Sequence, residues 1–333
     1  MNMREHGGDL DRARAVYGGT DWLDLSTGIN PTPYPVPAIS DQAWQVLPTA
    51  SALTTLEDAA RAAYGATGPC MGFSGAQAII QLVPRLLPPG KARVLSPTYN
   101  EHGAALSEAG WQVQDVDDLD ALRGAKLAVI VNPNNPDGRR WSADTVMSLA
   151  ADVGLLVVDE SFADPHPDCS VIPALPPQDD GPQPLVLRSF GKFYGLAGLR
   201  LGFALGAPPQ LAQLRQMAGP WSVSGPALEI GCAALRDTGW RQQQIASLAA
   251  ASARLDALVA AHTDWSLEGG SALFRTYRVG SGAAVQDRLA QAHIWTRKFT
   301  YAPDWLRLGL PGGPKAWDHL EAGLRSLRET RAR

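Results

Sequence analysis

Through the middle of the chain, short continuous apolar runs alternate with longer stretches whose apolar residues recur at helical spacing. That alternation predicts an α/β domain with helices on both faces of a mostly parallel sheet. The runs Ala92–Leu95, Lys126–Val131, Gly154–Val158, Leu185–Arg188 and Leu201–Leu205 read as its strands. Four of them stop at polar clusters: Ser96-Pro97-Thr98-Tyr99, Asn132-Pro133-Asn134-Asn135-Pro136, Asp159-Glu160 and Ser189-Phe190-Gly191-Lys192. Ligands of open parallel sheets lie outside the carboxyl ends of the strands, so these clusters are predicted to meet in one crevice.

From Pro226 to about Ala261 the chain is rich in Ala and Leu and is interrupted near Asp237-Thr238-Gly239, which predicts two helices. Ser271–Val279 then reads as a strand, Ala284–His293 as a helix, Trp305–Leu310 as a strand and Lys315–Arg331 as a closing helix. The expected organisation is a large domain over 41–225 and a smaller α+β domain over 226–333. Residues 1–40, too short and proline-rich to fold alone, are expected to pack on the smaller one. Pro173–Pro184 reads as a surface loop.

Composition narrows the class. With 333 residues, 45% of them hydrophobic and 19% charged, the chain can bury a core without disulfides or structural metals. Its 29 Lys and Arg against 33 Asp and Glu are interspersed, which leaves no electrostatic footprint for a nucleic acid. No continuous apolar run approaches the roughly 20 residues of a bilayer span, so no membrane association is expected. The opening MNMREHGGDLDRAR lacks the apolar segment of a secretory signal. Cys70, Cys169 and Cys232 lack the even count and spacing of a disulfide frame. Both features predict a cytoplasmic protein.

Lys192 follows an apolar strand within SFGKFYGLAGLRLGF, among four glycines. Most lysines are solvated surface charges, but one held against close backbone can lose its proton near neutral pH and attack a carbonyl. Arg200 stands eight positions later and Ser189 three before; a guanidinium fork and a hydroxyl so placed can grip a phosphate beside that amine. An aldehyde paired with a phosphate points to pyridoxal 5'-phosphate. Asp159, at a strand end, can pair with a protonated pyridine nitrogen or simply cap a helix. Asn135 is a hydrogen-bond partner for the ring oxygen or a turn former, and Tyr99 a stacking ring or a structural tyrosine. Ser74-Gly75-Ala76-Gln77 before a helical pattern offers backbone N–H groups to a phosphate. With no His/Cys cluster at ligand spacing, no metal is expected.

In order and spacing these residues resemble the aspartate-aminotransferase-like superfamily of pyridoxal-phosphate enzymes, fold type I. The resemblance implies that Lys192 bonds the cofactor aldehyde, Asp159 meets the ring nitrogen, Asn135 the ring oxygen, and Tyr99 stacks on the ring. Ser189, Arg200 and the backbone of Gly75, Ala76 and Gln77 are implied to hold the phosphate, and Arg307, in WLRLGLPG, the substrate α-carboxylate.

Within the superfamily the chain is similar to histidinol-phosphate aminotransferases and to the threonine-phosphate decarboxylases of cobalamin biosynthesis. His6-Gly7-Gly8-Asp9, with Asn30 in LSTGINP, resembles the decarboxylase opening, where such residues help bind the substrate phosphate. Phe162 stands where the aminotransferases usually carry a tyrosine, and Leu47-Pro48 where they carry Tyr-Pro. The resemblance therefore implies decarboxylation of L-threonine O-3-phosphate by a homodimer, with a histidinol-phosphate type of aminotransferase as the alternative.

Overall fold

The central strands form where β-branched and leucine residues run without interruption. Leu127–Val131 (LAVIV) is buried at every position, as expected of a parallel strand covered on both faces. The structure, a computed structural model, describes residues 6–177 and 181–329. By contacts it divides into two units, residues 33–244 and residues 1–32 with 245–333.

The larger unit is built on seven strands: β1 (Cys70–Phe73), β2 (Lys91–Leu95), β3 (Gln112–Val116), β4 (Leu127–Val131), β5 (Leu156–Asp159), β6 (Leu185–Ser189) and β7 (Gly202–Leu205). Their order across the sheet is β1-β7-β6-β5-β4-β2-β3. Strands β6, β5, β4, β2 and β3 run parallel, whereas β7 runs antiparallel to both β6 and β1. One face of the sheet is packed by Val94, Val129, Val157 and Leu187 against Ile79, Ile80 and Leu106.

Each of the five predicted strands is present, within about two residues at either end. Two others went unread. The segment β1 is only CMGF, with a glycine inside it, and β3 is a polar edge strand, QVQDV, with exposed positions at Gln112, Gln114 and Asp115.

The unit boundaries also differ from the sequence expectation of 41 and 225. Tyr34 donates its N–H to the Tyr194 carbonyl at 2.9 Å, and Trp240 stacks on Tyr194 with ring centroids 5.5 Å apart. The helix Gly225–Arg236 packs on the helix Ala50–Tyr64, so closely that a Cβ on Gly231 would come within 2.8 Å of Leu56. These contacts keep 33–40 and 226–244 with the sheet.

In the smaller unit, β8 (Ser266–Ser271), β9 (Phe274–Arg278), β10 (Arg297–Lys298) and β11 (Trp305–Gly309) form an antiparallel sheet of order β10-β11-β9-β8. The expected single strand Ser271–Val279 thus contains the turn of a hairpin, at Ala272-Leu273; the continuous apolar Ala272-Leu273-Phe274 hid it. Helices Gly282–Gln291 and Gly313–Glu329 belong to this unit, and the predicted helix end at Arg331 lies outside the described residues.

Helix Thr238–His262 is, by length and composition, long and apolar enough to cross a membrane. It contains no long continuous apolar run, because Arg241, Arg254 and Asp256 interrupt its apolar residues. Its Leu248, Leu255 and Val259 are buried, and Asp256 pairs with Arg275 at 2.7 Å.

Candidate active site

After β1 the chain turns through Gly75, whose φ of +86° strongly favours glycine, and opens the helix α1 (Ala76–Leu82). A Cβ on Gly75 would stand 2.9 Å from Arg200 Nη2, so the guanidinium lies directly over the turn. Arg200 itself adopts φ 54°, ψ 57°, a left-handed conformation that L residues avoid. Gly202 permits the same approach from the other side, since a Cβ there would meet Ala76 N at 2.5 Å. The first N–H groups of that helix and the Arg200 guanidinium thus lie at one turn, an arrangement that suits a dianionic phosphate.

At the end of β5, Asp159 is buried and anionic. Burial pushes its pKa up, but hydrogen bonds from His102 Nε2 (2.8 Å to Oδ2) and from Ser161 N and Oγ (2.9 and 2.5 Å to Oδ1) outweigh this and hold it below the usual carboxylate range.

Lys192 lies in the short helix α2 (Phe190–Phe193) after β6, with Nζ 5.7 Å from the centre of the buried Phe162 ring. Gly191 is required here, because a Cβ would come within 2.6 Å of Ala197 Cα. Of the three asparagines in NPNN, Asn132 bonds Trp141 and Cys169 carbonyls and Asn134 bonds Pro97 and Asp137, while Asn135 lines the cavity. Tyr99 is pushed up to about 12 by burial and by Glu101 and Asp159, so its hydroxyl is a neutral donor. It donates to Gln77 Oε1 at 3.3 Å, and Gln77 Nε2 donates in turn to Glu101 at 2.8 Å.

Gly75, Ala76, Gln77, Tyr99, Asn135, Asp159, Ser189, Lys192 and Arg200 all line one cavity of about 710 Å³, part of it open to solvent. The sequence had brought out each of them, but not Ser161 or His102. His102 lies three residues after Tyr99 in the helix Asn100–Glu108, and only its 2.8 Å contact with Asp159 distinguishes it from the other polar residues there.

The remaining predicted residues lie in the smaller unit. Arg307 on β11 is buried, donates from Nη2 to the Ser26 carbonyl at 2.7 Å, and sits over the Phe274 ring at 5.2 Å. Gly8 N–H donates to Ser26 Oγ at 2.7 Å, and a Cβ on Gly7 would overlap the Ser26 carbonyl, so Ser26 joins the Gly7-Gly8 segment to Arg307. His6 is exposed, and Asn30 is buried with Oδ1 accepting from Thr32 N at 2.9 Å. The sequence missed Arg297, which stands directly opposite Arg307 across the β10–β11 ladder, on the same face. Burial and the Arg297 charge bring the Arg307 pKa down to about 10.

The profile of the class I and II aminotransferases matches residues 20–319. The chain belongs to that family. Among curated members, the threonine-phosphate decarboxylase of Pseudomonas aeruginosa is 43% identical, over 98% of this chain and 99% of its own length. That of a Sinorhizobium species is 42% identical, over 98% and 97%. The histidinol-phosphate aminotransferase of Sinorhizobium meliloti, solved in complex with pyridoxal-5'-phosphate, superposes with a TM-score of 0.84 at 20% identity, covering 99% of this chain and 96% of that one. The family is pyridoxal-phosphate dependent, and the residues of this cavity fit the cofactor. A buried carboxylate kept ionised suits a protonated pyridine nitrogen, a cradle of guanidinium and helix N–H groups suits the phosphate, and an amine lies in the same cavity for the aldehyde.

Proposed function

We propose that the chain decarboxylates L-threonine O-3-phosphate to (R)-1-aminopropan-2-yl phosphate, a step of cobalamin biosynthesis. The observation that carries this reading is the pairing of Arg297 with Arg307 beside the Gly7-Gly8 segment: two guanidiniums for a substrate with two anionic groups, a carboxylate and a phosphate. The curated relatives of near-equal length bear the matching name.

In this reading Arg307 binds the carboxylate, and His6, Gly7, Gly8 and Asn30, together with Arg297 across the ladder from Arg307, bind the phosphate. When bound, the cofactor supplies a positively charged heterocycle that takes up the electron pair released as the bond from Cα to the carboxylate breaks. Asp159 keeps the ring nitrogen protonated, and its hydrogen bonds from His102 and Ser161 hold it ionised for that task. Tyr99 and Asn135 fix the ring in its plane, while Arg200, Ser189 and the turn at Gly75 anchor it at the phosphate. Lys192 Nζ would hold the cofactor aldehyde, and Lys192, or a water near it, would return the proton that replaces carbon dioxide on Cα. Anionic clamps on the substrate would choose decarboxylation by orienting the bond from Cα to the carboxylate. The protein acts in the cytoplasm, where its free Cys70, Cys169 and Cys232 remain thiols.

The protein forms a homodimer. Trp44, Val46 and Leu47 are 68%, 58% and 63% exposed, an apolar stretch on the larger unit suited to a second copy of the chain.

Incubation with phosphothreonine alone tests the reaction. Carbon dioxide and the aminoalkyl phosphate are expected without added 2-oxo acid; product that depends on 2-oxoglutarate would make the chain an aminotransferase instead.

A further inference from the structure

Next to two cavity residues stand two charged ones that face away from the cavity. Glu160 follows Asp159 at the end of β5, and Arg188 precedes Ser189 on β6; alternation along a strand turns each to the opposite side from its neighbour. There Arg188 Nε lies 3.2 Å from Glu160 Oε2, Nη1 3.5 Å from Asp164 Oδ2, and Nη2 donates to Ser170 Oγ at 3.1 Å. Its guanidinium also covers the Tyr64 ring at 4.6 Å. Glu160 accepts from Ser170 Oγ and from Val171 N, both at 2.7 Å, and its own N–H donates to the Leu187 carbonyl at 2.9 Å. The side chains of Arg188, Glu160 and Asp164 are 3%, 0% and 1% exposed.

Replacing such a buried ionic group with apolar residues of similar volume is often neutral or stabilising, so stability alone gives weak grounds for an arginine and two carboxylates here. What the network does join is informative. One planar group is tied to the end of β5 that carries Asp159, to the 160–171 loop that carries Phe162, and to the strand that leads within four residues to Lys192. These are the residues assigned to opposite ends of one rigid cofactor ring.

We propose that Arg188 is a positioning residue that sets the distance between Asp159 and Lys192, acting through Glu160, Asp164 and Ser170. It rests on the cofactor roles given above to Asp159 and Lys192. The fork of the guanidinium is what permits three partners at once; a lysine ammonium is a point charge on a flexible stem and cannot hold the same three in place.

The test uses the holoenzyme at saturating pyridoxal phosphate, with Arg188→Met, Arg188→Lys and Ser170→Ala. Three quantities are read: thermal midpoint, visible circular dichroism of the bound cofactor, and turnover. With the ring held askew, both Arg188 variants are expected to lose at least about half of the visible signal and about tenfold or more in turnover. Ser170→Ala, which removes one bridge, is expected to fall between them and the parent. A lowered midpoint with unchanged visible signal and turnover makes Arg188 a structural residue only and overturns the proposal. Should the Arg188 variants fail to fold, Ser170→Ala decides: a parental visible spectrum overturns the proposal, a diminished one supports it. Borohydride labelling of the parent protein separates the two levels. No pyridoxyl label on Lys192 defeats the cofactor assignment and this proposal with it, whereas a labelled parent with unaltered variants defeats the positioning role alone.

Discussion

His102 Nε2 stands 2.8 Å from Asp159 Oδ2 with both side chains buried, and because Asp159 is ionised the imidazole is the donor. Removing it in His102→Ala leaves Ser161 as the donor to a buried carboxylate and lets burial raise the Asp159 pKa. A hydrogen bond to a charged group contributes about 1.5–3 kcal/mol, so pyridoxal phosphate is expected to bind roughly 10- to 100-fold more weakly. The sign with pH follows. Asp159 has its folded pKa below 3.8, so its contribution is full above 3.8 and is lost as pH falls through the lowered value. In His102→Ala that loss moves to higher pH, which an acid titration of bound cofactor against the parent protein measures.

Lys192→Ala removes the amine assigned both to the aldehyde and to proton delivery. Turnover is expected to drop by at least about 1000-fold, in line with the loss of a general acid and a covalent tether together. Mass spectrometry after borohydride treatment should find the pyridoxyl group on the Lys192 peptide of the parent protein and nowhere in the variant.

Gly75→Ala and Gly110→Ala form a matched pair. Both glycines have φ +86°, but a Cβ at Gly75 meets Arg200 whereas one at Gly110 meets nothing within 4 Å. Each substitution is expected to cost about 1–2 kcal/mol of stability from backbone strain. Only Gly75→Ala should also weaken the cofactor, by roughly tenfold, because it displaces the guanidinium from the phosphate cradle. Thermal denaturation and a cofactor titration of the two variants separate the effects.

Arg307, at about 10, loses its charge at lower pH than an ordinary arginine. Between the two pKa values the unfolded chain binds more protons than the folded one, so this group's share of stability rises with pH across the window. An anionic ligand works the other way, since it needs the protonated guanidinium. The rise in thermal midpoint produced by phosphothreonine is therefore expected to be full below pH 10 and to shrink above it. Arg307→Lys should weaken the ligand by about 1.5–3 kcal/mol at neutral pH, read by the same thermal shift.

Trp44→Asp with Leu47→Asp places two charges in the exposed apolar stretch. Sedimentation is expected to show a homodimer for the parent and a monomer for the double variant; an identical mass for both locates the interface elsewhere.

What the chain disclosed in advance was the chemistry that sits on well-marked strand ends. Lys192, Asp159 and Asn135 follow unbroken apolar runs, and such runs are what a two-sided parallel sheet requires. His102 and Arg297 were not seen because their value depends on what they face: His102 is one more polar residue of a helix start until Asp159 is known to lie 2.8 Å away, and Arg297 gains meaning only from its register with Arg307. Arg188 reads as a charge inside a strand pattern, and its burial among Glu160, Asp164 and Tyr64 comes from residues up to 124 positions distant. The unit edges were misplaced for a similar reason. The proline-rich start and the long Ala-rich helices looked detachable, whereas the aromatic contacts of Tyr34 and Trp240 with Tyr194 hold them to the sheet.

The antiparallel neighbour of the first strand arrives late. Cys70–Phe73 pairs with Gly202–Leu205, and the turn at Gly75 stands against Arg200 and Gly202. During synthesis, then, the chain must leave the ribosome through Leu205 before this edge of the sheet has a partner, and no shorter nascent fragment sets Arg200 over the Gly75 turn. Arg200 thereby reaches the turn only after Lys192 is already in place, and a truncated translation product ending before Arg200 lacks the guanidinium proposed to hold the cofactor phosphate.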